Sequence, residues 1–190
     1  MRTSRHAAAF TAAIALVATQ LSAHPVAAGN PAHAATAAPL TWKQLQNTTY
    51  PAFMSPSHKV TLHNGTFKHE AGMDKYYAGL DKHYAIGDLN GDGVPDAAVA
   101  LWQSGGGSGV FFSLVAMLDK GGKPVPAGSV ELGDRPYIKS IAITGGKIVL
   151  KMNYASAKAP ACCPDTATAM TFALSHGKLK LLKQVDKRLK

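Results

Sequence analysis

The hydrophobic residues of this chain fall into short runs separated by turn residues, a pattern that predicts β-strands rather than helices. Between residues 147 and 154 every second residue is apolar, which is the period of a strand with one buried face. Residues 97–102 and 110–118 are apolar on both faces except at Ser113, as expected for central strands covered on both sides. Further strands are predicted at residues 60–62, 76–80, 83–86, 138–143, 170–174 and 179–182, and around Phe67.

Turn signals divide these strands. Asn64-Gly65, Gly145-Gly146 and His176-Gly177 each separate two predicted strands and favour tight hairpins. One short helix is predicted at residues 41–46, with Thr41 as its N-cap. The predicted fold class is therefore all-β: a single antiparallel β domain with one short N-terminal helix. The even spacing of the strands leaves a sandwich, a barrel and a bent sheet as open alternatives.

The chain divides by composition into three parts. Residues 1–28 have the pattern of a signal peptide, with Arg2 and Arg5 before an alanine-rich apolar core. Residues 29–40 are rich in alanine and proline, and we expect a disordered leader there. Residues 41–190 have the size of one domain. Because no later segment is apolar enough to span a membrane and no cysteine lies near the cleavage region, we expect a soluble periplasmic or secreted protein without a lipid anchor.

Charge is concentrated at the C-terminus. The chain is 46% hydrophobic and 16% charged with a net charge of +9, and residues 178–190 carry six basic residues against Asp186 alone. Such a basic tail is able to contact an anionic surface weakly, and the alternative is a solvated, frayed terminus. No nucleic-acid-binding module accompanies the tail, so nucleic acid is not an expected partner.

An oxygen-rich loop between two apolar runs carries the most specific chemistry of the sequence. Counted from Asp88, polar side chains recur at the first, third, fifth and ninth positions. The loop's candidate ligands are Asp88, Asn90, Asp92 and Asp96, with the backbone carbonyl of Val94 at the seventh position. Calcium takes six to eight oxygen ligands of these kinds, so the loop predicts a calcium site.

This loop is not an EF-hand, because Val99 occupies the twelfth position, where an EF-hand has a bidentate Glu, and strands flank it. Residues 85–99 instead resemble the calcium loop of FG-GAP repeats, the units of integrin-α-type β-propellers. That resemblance implies the same five ligands, Asp88, Asn90, Asp92, Val94 and Asp96. A domain of this length is too short for a full propeller. The wider sequence is similar to uncharacterised secreted bacterial proteins, which implies no activity.

Two readings of the loop remain at this point. Asn, Asp and Gly also favour Asx-rich turns that need no ion. If calcium binds, we expect a structural role that holds two strands in register. Without a bidentate Glu, the affinity should be on the order of micromolar to millimolar, as for extracellular modules.

The only two cysteines, Cys162 and Cys163, are adjacent. An exported protein meets an oxidising compartment, which favours a vicinal disulfide between them. Such a bond closes a small strained ring, because neighbouring α-carbons are closer than in ordinary disulfides. Free or intermolecular thiols and a redox or metal-binding role are the alternatives.

The sequence predicts a binding module more than an enzyme. No pair of acids or nucleophile motif is visible, and the expected partner is a protein or a polysaccharide that the sequence does not identify. The alternative is an exported, hydrolase-like enzyme whose active-site residues are brought together only by the fold.

Overall fold

The computed structural model describes residues 38–189 except Ala161, and the predicted signal peptide and nearly all of the predicted leader lie outside these residues. The elements, in chain order, are α1 (Trp42–Leu45), β1 (Thr49–Pro51), β2 (Lys59–Thr61), β3 (Thr66–Ala71), β4 (Asp74–Gly87), β5 (Asp96–Ser104), β6 (Phe111–Asp119), β7 (Pro124–Asp134), β8 (Tyr137–Thr144), β9 (Lys147–Tyr154), β10 (Thr166–Ser175) and β11 (Lys178–Arg188). The prediction of an antiparallel all-β domain with one short helix is confirmed.

The strands form three antiparallel sheets. The central sheet has the order β3–β4–β5–β6–β7, the outer sheet has the order β11–β10–β9–β8, and β1 pairs with β2. We call α1, β1 and β2 together the cap. Every neighbouring pair of strands in the central and outer sheets is connected directly along the chain, so both sheets are simple meanders of hairpins.

The central sheet is buried on both faces. Val99 and Leu101 of β5 pack with Tyr50 and other residues of the cap in one hydrophobic cluster. Ala98 and Ala100 of the same strand belong to a second cluster shared with the outer sheet. Because successive side chains of a strand point to opposite faces, β5 and β6 are largely apolar on both faces, and their polar residues are buried as well: Asp96, Gln103, Ser104, Ser113 and Asp119. The structure is therefore a sandwich with a cap, which resolves the three alternatives.

Two differences from the predicted strands have local causes. Residues 76–80 and 83–86 form one strand, β4, with a register irregularity between Leu80 and Tyr84. There the Asp81 carboxylate accepts a hydrogen bond from the His83 amide at 2.8 Å, so a bulge joins the two predicted strands. Strand β7 was not predicted, because its prolines and glycines are typical of loops. It is an edge strand of the central sheet, and edges tolerate proline.

The two chain ends of the domain are ordered. Helix α1 begins with a capping box, in which Thr41 and Gln44 bind each other's backbone amides. The basic C-terminal segment is the edge strand β11, paired with β10 from Ser175 opposite Lys178 to Thr166 opposite Arg188. The alternative of a frayed terminus is therefore wrong for residues 178–188.

We find no helix with the length and apolar character required to cross a membrane in the part of the chain that the structure describes.

Candidate metal centre and neighbouring sites

The acidic loop joins the end of β4 to the start of β5. Gly87 and Asp96, which flank it, are opposite each other in the ladder between these strands. The loop is therefore the connection of a hairpin, and its conformation determines where two strands of the central sheet meet.

Side chains of the loop fold back onto its own backbone. The Oδ1 atom of Asp88 accepts hydrogen bonds from the amides of Asn90 and Gly91 at 3.1 and 2.7 Å, and its Oδ2 atom accepts one from Gly93 at 2.9 Å. The Oδ1 atom of Asn90 accepts from the Asp92 amide at 2.9 Å. These are successive Asx turns, and they define the loop from its own residues.

The carboxylate of Asp92 continues this series. Its Oδ1 atom accepts a hydrogen bond from the Val94 amide at 2.9 Å, and its Oδ2 atom accepts one from the Asn90 side-chain amide at 2.8 Å. These two bonds, the one from Val94 first, lower the pKa of Asp92. Asp92 is therefore ionised at neutral pH.

Asp96 differs from the other acids of the loop because it is fully buried. Its Oδ2 atom accepts a hydrogen bond from the Leu89 amide and its Oδ1 atom accepts one from the Asp119 amide, both at 2.9 Å. Burial raises the pKa of Asp96, the two amides oppose that effect, and the negative charges of Asp92 and Asp88 add to it. None of the four ion pairs among the described residues includes Asp96.

The donor set fits calcium in its chemistry, but its side chains are turned toward backbone amides. Within residues 38–189, no three His, Cys, Asp or Glu side chains converge into a metal-binding group. The five predicted ligands nevertheless offer only oxygen atoms, which is what a hard cation requires. A carboxylate oxygen that accepts one hydrogen bond retains a second lone pair. The calcium site remains a prediction.

The outer sheet lies directly against one flank of the loop. A Cβ atom built on Gly87 would lie only 2.8 Å from Cγ2 of Ile143 in β8. A cavity of about 440 Å³ beside Asp88 and Gly91 is lined by Ile143 and by the Gly145-Gly146 turn. One flank of the loop thus lies against the outer sheet, while residues 90–93 at its tip are exposed.

Asp119, at the end of β6, is a residue that sequence reasoning missed. It is only 3% exposed, its Oδ1 atom accepts a hydrogen bond from the Gly122 amide at 2.6 Å, and its Oδ2 atom is buried without a hydrogen-bond partner. Its amide donates to Asp96. The Asp-Lys-Gly-Gly run is an Asx-turn signal, but only the fold brings it to the acidic loop.

Cys162 and Cys163 lie in the connection between β9 and β10. Both are free and exposed, with their Sγ atoms 2.6 Å apart. The pKa of Cys163 is raised, first by its hydrogen bond with Cys162 and then by desolvation. The two thiols are neighbours, as a vicinal disulfide requires. The disulfide itself remains a prediction. Asp134 and Arg135 form a local ion pair, with Nη2 of Arg135 2.6 Å from Oδ2 of Asp134.

A cleft of about 570 Å³ separates the cap from β3 and β4, and its lining includes Ser55, His63, His69 and Tyr76. Burial raises the pKa of Tyr76 to about 12. His69 Nε2 lies 3.6 Å from Asp74 Oδ2, but the two side chains are 47% and 72% exposed. An acid–base pair in open water gains little from its neighbours, so the cleft offers polar groups without a water-excluded reaction centre.

Comparison with known proteins adds no identity. No protein-family model matches this chain, and neither a curated protein nor a solved structure matches it at a significant level. The geometry of the described residues therefore carries the argument on function.

Proposed function

We propose that this protein is an exported β domain that binds one structural calcium ion in the acidic loop and acts as a binding module. The observation that carries the calcium proposal is the fully buried carboxylate of Asp96. It has two amide donors and two acidic neighbours, Asp92 and Asp88, that raise its pKa. A cation between the three acids removes their repulsion and the cost of burying one of them.

The residues that would hold the ion are the side chains of Asp88, Asn90, Asp92 and Asp96 and the backbone carbonyl of Val94. Calcium supplies positive charge to a site that contains three acids. Asp96 has the greatest structural effect, because it also binds the amides of Leu89 and Asp119. Through these bonds the loop is tied to β6 as well as to β4 and β5. The resemblance to the calcium loop of FG-GAP repeats supports the same ligand set.

Export is proposed from the signal-peptide pattern of residues 1–28. The adjacent cysteines are consistent with an oxidising compartment. Together these features give a periplasmic or secreted location, where free calcium reaches concentrations that fill a site of micromolar to millimolar affinity.

The test is a thermal melt of the full chain in excess calcium and then in EGTA. A ligand at about one hundred times its dissociation constant adds about 2.7 kcal/mol to the free energy of unfolding. We expect a clear rise in Tm that Asp92→Ala abolishes. Asp74→Ala, which removes the same charge from the exposed first residue of β4, is the matched control and should keep the rise.

Two outcomes would contradict the calcium proposal. One is an unchanged Tm at millimolar calcium, and the other is a rise that persists in Asp92→Ala. The enzyme alternative is tested separately at the cleft between the cap and β3–β4. Ester or glycoside hydrolysis by the full chain that His69→Ala removes would favour the hydrolase over the binding module.

A further inference from the structure

The outer sheet has one face packed on the central sheet and one face in contact with solvent. Ile148 and Leu150 of β9 and Phe172 of β10 lie in the hydrophobic cluster on the packed face. Because side chains alternate along a strand, the residues between them point outward. The outward positions of β9 and β11 include five lysines, which are Lys147, Lys151, Lys180, Lys183 and Lys187.

Strand pairing arranges these lysines in two rows on either side of β10. Ala173 of β10 is opposite Lys147 on one side and Lys180 on the other. One row belongs to β9 and the other to β11, so their backbones are about 10 Å apart, twice the usual distance between paired strands. The rows frame the outward residues of β10, which are Ala167, Ala169, Thr171 and Ala173. We call these four residues and the five lysines the lysine trough.

The floor of the trough is low and its sides carry only positive charge. Alanine and threonine are short, whereas the lysines on both sides are exposed. Asp186 is the only acidic residue within strands β8 to β11. It is opposite the buried Thr168 on the packed face, and both of its carboxylate oxygens accept hydrogen bonds from Gln184 Nε2 at 3.1 Å. No ion pair among the described residues includes a lysine of the trough.

We propose that the lysine trough binds a linear acidic polysaccharide that lies along β10. This inference rests on the proposed binding function and names its surface and its partner class. A chain with acidic groups on both sides contacts both rows at once. A lysine ammonium is a compact charge with three donors, so it accepts a carboxylate or sulfate from many directions. Thr171 and the outward Asn153 supply neutral polar groups for sugar hydroxyls.

The same face is poorly suited to nucleic acid. Single-stranded nucleic acid is bound largely by stacking its bases on aromatic side chains. The aromatic residue on this face is Tyr137, opposite Asn153, and the ammonium of Lys139 lies 4.1 Å from the centre of its ring. The floor of alanine and threonine provides no other stacking surface.

A membrane is also a poorer fit. Stable attachment to a bilayer requires apolar insertion in addition to electrostatic attraction. Strand β11 carries three exposed large apolar residues, which are Leu181, Leu182 and Val185. Leu181 is opposite Phe172 of the packed face, Leu182 lies at the register irregularity, and Val185 is opposite Ala169 on the floor of the trough. One valine between the lysines of the trough is a weak anchor, whereas a polysaccharide needs none.

The test measures binding of hyaluronate oligosaccharides to the full chain by titration at low salt, with neutral dextran as the uncharged chain. The variant Lys151→Gln/Lys183→Gln removes one charge from each row. The matched control is Lys43→Gln/Lys59→Gln, which removes two charges from the cap on the far side of the central sheet. We expect the trough variant to lose about tenfold in affinity, the control to lose less than twofold, and dextran not to bind.

A third variant, Ala169→Leu, raises the floor without changing the charge. It should weaken hyaluronate binding, whereas it would strengthen attachment to phosphatidylglycerol vesicles. Equal losses in the trough variant and the control would overturn the proposal, and so would tighter binding of vesicles or of a single-stranded oligonucleotide than of hyaluronate. The rise in Tm with calcium should persist in the trough variant, so failure of this proposal is distinguishable from failure of the calcium proposal.

Discussion

The Oδ1 atom of Asp96 accepts a hydrogen bond from the backbone amide of Asp119 at 2.9 Å. This bond joins two residues 23 positions apart and links the acidic loop to the far end of β6. Because the Asp96 side chain is fully buried, water cannot take the place of either partner in the hydrogen bonds between its oxygen atoms and the backbone amides. The loop is therefore a fixed part of the central sheet, and its chemistry is coupled to folding.

The first prediction concerns removal of this carboxylate. In Asp96→Ala the amides of Leu89 and Asp119 lose their acceptors, and each buried unsatisfied donor costs about 1–3 kcal/mol. We expect a loss of about 2–4 kcal/mol in the free energy of unfolding, measured by urea denaturation in EGTA. Asp74→Ala, at the exposed start of β4, is the control. Equal stability of the two variants would contradict the role of Asp96.

The second prediction is the pH dependence that Asp96 contributes without calcium. Its pKa in the folded protein is raised from the ordinary value of 3.8, so the folded state holds the proton more tightly than the unfolded state does. The contribution of Asp96 to stability is therefore greatest at low pH and declines as pH rises from about 3.8 through the raised pKa.

The pH dependence that Asp96 contributes has to be measured as a difference between two proteins. Three other acids, Asp92, Asp134 and Asp165, have lowered pKa values and change the free energy of unfolding with pH in the opposite direction. Urea denaturation in EGTA at several pH values, wild type minus Asp96→Asn, isolates the group. We expect the free energy of unfolding of the wild type to fall relative to that of Asp96→Asn as pH rises. A difference that is flat with pH would show that burial does not perturb this carboxylate.

The third prediction tests the close approach of the loop to the outer sheet. A Cβ atom at position 87 would lie 2.8 Å from Cγ2 of Ile143, so Gly87→Ala should cost about 1–3 kcal/mol by overpacking. Gly107→Ala, where no atom lies within 4 Å of the added Cβ, is the control. Ile143→Ala removes Cγ2, the nearest obstructing atom, and leaves only Cβ at 3.0 Å, so the double variant should be more stable than the sum of the single changes. Simple additivity would argue against this contact.

The fourth prediction concerns the adjacent cysteines. In the purified, non-reduced protein we expect thiol titration to detect no free thiol, and reduction to release the two thiols of Cys162 and Cys163. Cys163→Ser should leave Cys162 reactive and yield disulfide-linked dimers. Two free thiols before reduction would remove the disulfide and leave the alternatives of free thiols or a redox role.

Strand content was predictable wherever one periodicity dominated. The alternation in residues 147–154 predicted β9 with its observed bounds, because a strand with one solvent face must alternate. The doubly apolar runs predicted β5 and β6 as covered strands. The prediction missed β7, because its prolines at positions 124 and 126 are typical of a loop. An edge strand tolerates proline, but whether a strand lies at an edge depends on the neighbouring strands, which the local sequence pattern does not show.

The sequence by itself determined the all-β class, the hairpin order of most strands, and the acidic loop with Asp88, Asn90, Asp92 and Asp96. These follow from local rules of alternation, turn preference and ligand spacing, which act over a few residues. Only the tertiary structure decided that Asp96 is buried and bonded to Asp119, and that the C-terminal lysines lie across β10 from those of β9. Burial and strand register depend on contacts between distant segments, so they arise only when the sheets pack.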